Sequence, residues 1–436
     1  MSNAPPGPIE LPPLKVEPAG DMRPDQFGML RQHPGYPPAV ILIFEAIASR
    51  AEKVLLDYTR DGVAVRYNID GMWVQTPGRD RMTGDALLMV LKLFAALNPS
   101  ERRAKQQGFF KGALNKDKYK FELVTEGVKT GERVLLEIRA QKKDIATLKD
   151  LGMRDKAAEQ LKSWMTRERG LILFSGPLDS GLRTTYRSAL NSTDRFMRDF
   201  RSVEDKHAPE PDIINVEAEF FDSRAGQTAI TILPKLVLRE PDVVCVPELN
   251  SDVAKSLCEL SVKNPLLTMT RIRAVDCVDA LQRFTSLHPD LSLFAKSLIG
   301  VINQRLVRRL CQCKEAYQPP PQLLHKLGIP PGRVNMLYRE RRPLSPEQIQ
   351  QLQEAKQPVP PPCPQCNGVG YFGRVAIFEM LEVNDSVRQG VAQRAQADQL
   401  RELARGAGAR SFQEEAILQV ALGVTSITEA QRTLKG

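Results

Sequence analysis

The chain has 436 residues, 42% of them hydrophobic and 26% charged, with a formal net charge of +9 and seven cysteines. That length holds two or three domains with proper cores, and the composition is that of an ordinary soluble globular protein. No run approaches the roughly 20 apolar residues of a spanning helix, and the start of the chain carries no charged-then-apolar leader, so a cytoplasmic protein is expected. The basic excess would suit nucleic acid or an anionic membrane, but Lys and Arg are scattered without a basic tail, which reads as a solvated basic surface.

Residues 1–38 are rich in Pro, Gly and Met and are expected to form a mostly flexible arm. Apolar residues at helical spacing (Val40, Ile43, Phe44, Ile47) predict a helix over 39–50. Strand-like runs follow at 53–58 and 63–69, joined by a turn at Asp61-Gly62. A helix over 86–97 ends before Asn98-Pro99, and strands over 119–124 and 133–138 close an α+β domain spanning 39–145. A second domain is expected over 150–436. Leu171 to Phe174 and Val243 to Val246 read as buried strands, and their alternation with helices predicts a parallel sheet covered on both faces. The stretch from Gln318 to Pro362 is loop-like at both ends, where prolines cluster.

Between the first of these strands and the next helix runs Gly176-Pro177-Leu178-Asp179-Ser180-Gly181-Leu182-Arg183-Thr184-Thr185, the frame of a phosphate-binding loop. Backbone N–H groups and a helix amino terminus would face the phosphate. A lysine normally follows the second glycine and reaches the β and γ phosphates, and a Ser or Thr hydroxyl then holds Mg²⁺. Here those positions are Leu182 and Arg183, and Asp179 stands inside the loop. One charge-assisted hydrogen bond is worth roughly 1.5–3 kcal/mol, and turnover suffers more than binding when charge on the transferred phosphoryl goes unstabilised. Arg183 could supply a cation from the neighbouring position. Taken alone, the loop reads as a structural strand-turn-helix.

Four cysteines fall in two close pairs, Cys311-x-Cys313 and Cys363-x-x-Cys366. Four thiolates suit a closed, structural tetrahedral Zn²⁺ site, with reduced, unligated thiols as the alternative. The Cys-x-Cys half is one residue shorter than the usual spacing. Cys245, Cys258 and Cys277 read as plain core or surface residues. Arg305, Arg308 and Arg309 would share one helical face, a solvated or subunit-facing patch rather than a nucleic-acid site, because no aromatics interleave. His207 reads as a surface loop residue.

The text around the loop resembles the hexameric motor ATPases of type II secretion and type IV pilus assembly. Gly170 to Pro177 is similar to the entry of their Walker A loop, Val203-Glu204-Asp205 to their aspartate box, and Pro241 to Glu248 to their Walker B strand. Ile302-Asn303-Gln304-Arg305-Leu306-Val307-Arg308-Arg309-Leu310-Cys311 looks like a family signature almost letter for letter, and Cys363 to Arg374 resembles the second zinc knuckle. Leu400 to Ala404 and Gly423 to Glu429 are similar to the carboxy-terminal helices. Val65 to Gly71, Glu101-Arg102-Arg103 and Gly131 to Val134 resemble the domain that precedes the motor. The resemblance implies an α/β protein: an α+β domain, then a RecA-like P-loop domain with a small zinc subdomain over 311–366 and terminal helices. It also implies ATP and Mg²⁺ at Gly176 to Thr185, with Glu248, Glu204 and Asp205 as acidic catalytic positions. A homo- or hetero-hexamer is implied, held to the inner membrane's cytoplasmic face through a platform protein.

The departures gather on one function. The lysine is Leu182, the metal hydroxyl Arg183, the histidine of the histidine box Arg273, and the two first-domain arginines that meet nucleotide fall at Phe109 and Glu137. Pro247 precedes Glu248. These losses predict a motor relative impaired in hydrolysis, acting as a scaffold or regulatory subunit. A working ATPase using Arg183, and a zinc-containing binding module outside secretion, are the alternatives.

Overall fold

Buried and half-buried residues alternate along Val63–Ile69, the pattern of a strand with one face on a core. The structure is a computed structural model describing residues 11–20, 22–141, 147–330 and 332–435, and the chain divides into two units, Met1–Asp144 and Ile145–Gly436. The strands of the first unit are β1 (Leu14–Glu17), β2 (Ala51–Tyr58), β3 (Val63–Ile69), β4 (Met72–Arg79), β5 (Gln106–Leu114), β6 (Asp117–Val128) and β7 (Gly131–Ala140). They form one sheet in the order β1-β5-β6-β7-β2-β3-β4, antiparallel throughout. Its helices are α1 (Pro24–Gln32), α2 (Tyr36–Ala48) and α3 (Arg81–Phe94), the last capped by Asp80, which accepts from the Thr83 N–H at 2.8 Å.

The core of this unit runs through aromatic contacts, Tyr36 to Phe94 to Phe110 to Phe121, with ring centroids 5.9, 5.5 and 4.7 Å apart. Lys92 is also buried, and its ammonium donates to Glu132 at 2.5 Å and to the Glu101 carbonyl at 2.6 Å. The flexible arm expected over 1–38 is corrected by the described part of that segment, residues 1–10 and 21 lying outside the described residues. β1 adds to the sheet edge beside β5, burying Leu14 and Val16, and Pro24 opens α1 at its first turn, a place where a missing N–H does no harm.

The second unit has α4 (Asp155–Met165), β8 (Gly170–Gly176), α5 (Leu182–Asn191), β9 (Phe200–Asp205), β10 (Val216–Phe221), α6 (Leu233–Val237), β11 (Val243–Val246), α7 (Ser251–Lys263) and β12 (Leu267–Arg273). There follow α8 (Cys277–Thr285), α9 (Leu291–Ser297), β13 (Leu298–Leu310), β14 (Glu315–Tyr317), α10 (Pro321–Lys326), β15 (Leu337–Arg339), α11 (Pro346–Glu354) and β16 (Tyr371–Glu382). Helices α12 (Asp385–Ala392), α13 (Ala397–Gly406), α14 (Phe412–Ala421) and α15 (Ile427–Lys435) close the chain.

The main sheet runs β10-β9-β11-β12-β8-β13-β16, parallel except for β16 against β13. Helices cover both faces, which is why β8 and β11 are buried at every position and read as continuous apolar runs. Gly300 lets β13 pass the indole of Trp164: a Cβ there would lie 2.7 Å from the ring. Cys245, Cys258 and Cys277 are buried in this core.

One expectation is overturned here. Residues 298–310 are a strand, not a helix, because they hydrogen-bond to β8 on one side and β16 on the other. Arg305 and Arg308 therefore serve as local anchors. Arg308 makes a two-pronged ion pair with Glu429 of α15 at 2.9 and 2.7 Å, and Arg305 donates to the Thr433 and Val275 carbonyls. Among the described residues, no helix is long and apolar enough to cross a membrane.

Candidate functional site

β8 ends at Gly176 and α5 begins at Leu182, so the intervening loop sits at the carboxyl end of a central strand, where open parallel sheets bind ligands. Gly181 caps α5 with φ +78°, a left-handed conformation open to glycine without a Cβ clash. β13 braces the loop through Gln304, whose side-chain amide donates to the Ser180 carbonyl at 2.6 Å. The N–H groups of Leu182 and Arg183, in the first turn of α5, have no intrahelical acceptor. The backbone thus keeps the donor set that faces an anion.

The side chains do not follow suit. A cleft of ≈930 Å³ is lined by the loop together with Glu248, Arg271 and Arg273. Leu182 lies partly against the core beside β8. Arg183 is engaged on the cleft wall: its Nε donates to Glu210 at 2.6 Å and an Nη to the Pro209 carbonyl at 2.6 Å. Arg271, at the end of β12, donates to the other Glu210 oxygen at 2.6 Å, with its guanidinium 5.2 Å over the Tyr186 ring. Glu210 in turn donates its N–H to Glu204 at 2.7 Å.

Among the residues predicted for this site, Gly176 to Arg183 and Glu248 meet in the cleft, and Glu248 is exposed there. Thr184, Thr185, Glu204 and Asp205 are not on its wall. Thr185 is buried, and Glu204 is buried with its carboxylate taken by the Ser202 hydroxyl at 2.5 Å and by the Glu210 N–H. Asp205 accepts from the Ser223 hydroxyl at 2.5 Å, which with the His207 N–H holds its carboxyl below the ordinary range. His207 contacts Asp222 at 2.8 Å and lies off the cleft wall. Sequence reasoning missed Glu210, which sits between two prolines in loop text and has no motif spacing to mark it. Mg²⁺ with a nucleotide triphosphate therefore fits this cleft poorly. The backbone suits phosphate, but no hydroxyl stands at the metal position and the adjacent guanidinium is committed to Glu210.

The cysteines converge for a topological reason. β13 and β16 are antiparallel, with Leu310 opposite Tyr371, so the end of one strand and the turn before the other lie together despite the long excursion between them. The sulfurs of Cys311, Cys313, Cys363 and Cys366 all lie within 4.8 Å of one another. Cys311 to Cys363 is 3.8 Å and Cys313 to Cys366 is 3.7 Å. Thiolates at about 2.3 Å from a tetrahedral metal would stand roughly 3.8 Å apart, so the four residues fit such an ion. The Gly370 N–H points at the Cys366 sulfur from 3.3 Å, and the N–H groups of Cys366 and Gln365 bring the Cys363 thiol down to about 6. Short spacing in the Cys-x-Cys half does not keep Cys313 out of the cluster.

The comparisons agree with this architecture. Over 395 residues the chain is 27% identical to the type IV pilus assembly ATPase PilB of Thermus thermophilus, covering 89% of this chain and 42% of that protein. It is 26% identical to the type II secretion system ATPase E of Vibrio cholerae, covering 90% of this chain and 74% of that one. The chain thus spans less than half the length of the first relative. Among solved structures, the Legionella pneumophila ATPase DotB superposes with a TM-score of 0.58 at 12% identity, over 91% of this chain and 94% of that one. The pilus retraction motor PilT with bound ADP gives 0.50 at 17% identity, over 90% and 95%. Those likenesses place the second unit in the RecA-like fold. The Type II/IV secretion system protein family matches residues 39–432, and the chain belongs to that family.

Proposed function

We propose that this chain is a secretion or pilus-assembly motor subunit impaired in ATP hydrolysis, serving as a scaffold or regulatory member of a homo- or hetero-hexamer. It works in the cytoplasm at the inner membrane through a platform protein, without nucleic acid. Residues 39–145 act as the family's amino-terminal domain and 150–436 as the motor-type domain. The observation that carries the reading is Leu182 in place of the phosphate-facing lysine, with the neighbouring Arg183 tied to Glu210. Gly176 to Thr185 remain the phosphate-loop positions, and Glu204, Asp205 and Glu248 the acidic ones. Cys311, Cys313, Cys363 and Cys366 hold a structural zinc, supported by the spacing of their sulfurs.

The test is Mg²⁺-dependent ATP hydrolysis by the purified protein beside the double variant Leu182→Lys, Arg183→Ser. Little or no turnover by the wild type is expected, with a gain in the variant. Turnover by the wild type that vanishes in Glu248→Gln sinks the reading.

A further inference from the structure

Glu210 lines the same cleft as the phosphate-type loop. Its two carboxylate oxygens are divided between guanidiniums from different elements, Arg183 of α5 on one and Arg271 of β12 on the other, each at 2.6 Å. The Glu210 side chain is 12% exposed and that of Arg271 16%. Two guanidiniums converging on one planar anion, beside first-turn N–H groups that lack acceptors, are a donor set for a phosphate chain. Guanidinium forks bind phosphate oxygens directly and need no metal to do so. Arg273 lines the same cleft and makes no ion pair among the described residues. The opposing charges on the wall are Asp179 and Glu248. Glu210 itself rides on the irregular segment between β9 and β10, joined at its own N–H to Glu204. A segment without helix or strand can move more readily than either element that supplies an arginine.

We propose that Glu210 is an internal anion occupying the Arg183–Arg271 pair, and that its withdrawal opens a metal-independent site for a di- or triphosphate group, carried by a nucleotide or by inorganic polyphosphate. This rests on the reading that the cleft does not turn over Mg·ATP, and it gives that cleft a ligand that is bound rather than consumed.

The experiment is calorimetric titration of the full chain with ATP and, separately, with sodium tripolyphosphate, in buffer without Mg²⁺. Glu210→Gln should tighten binding by about tenfold or more, the worth of one or two freed charge-assisted hydrogen bonds. Adding Arg271→Gln to that variant should remove the gain, and Glu210→Asp should bind as the wild type does. Tightening for both ligands, or for ATP alone, supports the site and identifies phosphate chain or nucleotide as what it takes. Unchanged or weaker binding of both in Glu210→Gln overturns it, as does a gain that survives Arg271→Gln or appears equally in Glu210→Asp. Should Glu210→Gln not fold, hydrogen exchange decides on the wild type. Saturating tripolyphosphate should speed exchange over residues 206–212, and unchanged exchange there overturns the proposal. ATP turnover by the wild type would sink the impaired-motor reading and the claim that the ligand is bound rather than consumed, whereas an unaltered affinity in Glu210→Gln sinks only the Glu210 site.

Discussion

Two constellations of the second unit descend from the same family pattern and have fared differently. At the four-cysteine cluster both the backbone and every side chain are in place, with the sulfurs at 3.7 and 3.8 Å. At the phosphate loop the backbone is in place and the side chains differ: Gly181 turns the chain and Gln304 braces it, but Leu182 stands where such loops carry a lysine. The difference separates two demands on one fold. Four thiolates around a metal would tie the end of β13 to the turn before β16, so losing a ligand should cost stability. A phosphate-binding lysine contributes nothing to folding and is lost without structural penalty. If that account is right, perturbing the first site should damage the fold and perturbing the second should not.

The largest effect should follow Cys366→Ala. Cys366 is buried, and structural metal binding is itself folding free energy, so a loss of roughly 5 kcal/mol or more is expected in the second unit. Denaturant unfolding with a zinc assay checks it: wild type carrying zinc at one per chain should lose both the metal and much of its stability together. Wild type without bound metal, and a variant of unchanged midpoint, would erase the contrast.

Next in size is Glu429→Ala. Glu429 has a side chain that is 0% exposed and receives Arg308 and Arg432, so removing it strands the mostly buried Arg308 guanidinium, while the half-exposed Arg432 turns to water, and should cost about 3–5 kcal/mol. Burial pushes its carboxyl up, but the hydrogen bonds from Arg432 and Arg308 outweigh that and hold it below the ordinary value. The sign follows: its contribution is complete above the unfolded pKa of about 4.3 and fades as pH falls through the lower folded value. Unfolding of wild type and Glu429→Gln across pH 3 to 6 should therefore converge toward the acid end. This pair belongs to the cysteine side of the comparison, since Lys314, next after Cys313, donates to the Gly423 carbonyl at 2.6 Å and Tyr371 bonds Ser426 in the same region.

What was legible in the sequence follows the same division. The cysteine cluster could be read because ligand identity is the signal, and antiparallel pairing of β13 with β16 then supplies the proximity. The loop frame could be read because a buried strand, two spaced glycines and a helix are all local. The arginine pair on Glu210 could not, since Arg183 and Arg271 come from separate elements and meet a residue of an irregular loop. Arg305, Arg308 and Arg309 suggested a helical face because spacings of three and four suit a helix, yet sheet pairing on both sides decides the matter. At the amino end, Leu14 and Val16 are only two alternating apolar residues among prolines, too short a signal to outweigh composition, though enough to add a strand at an existing edge.

A smaller effect tests whether the loop backbone is still under structural demand. Gly181→Ala meets no close atom, the nearest being 3.4 Å from a built Cβ, so the cost is conformational: roughly 1–2 kcal/mol for a left-handed alanine. A shift of that size in the unfolding midpoint is expected. No shift would mean that the turn relaxes and that the loop is as free to drift as its side chains.

Leu182→Lys should have the smallest effect on stability and is the sharpest test of the contrast. Leu182 is only partly buried, packing at the margin of the core beside β8 and opening on the cleft, so a lysine can lay its methylenes along the same surface and keep its ammonium in water. A change within about 0.5 kcal/mol is expected. Phosphate binding should strengthen by no more than the single cation allows, because Arg183 stays on Glu210 and Asp179 and Glu248 stay on the wall. If this substitution instead destabilised the unit by several kcal/mol, Leu182 would be part of the core it borders. The loss of the lysine would then be a gain in packing, and the two sites would no longer differ in kind.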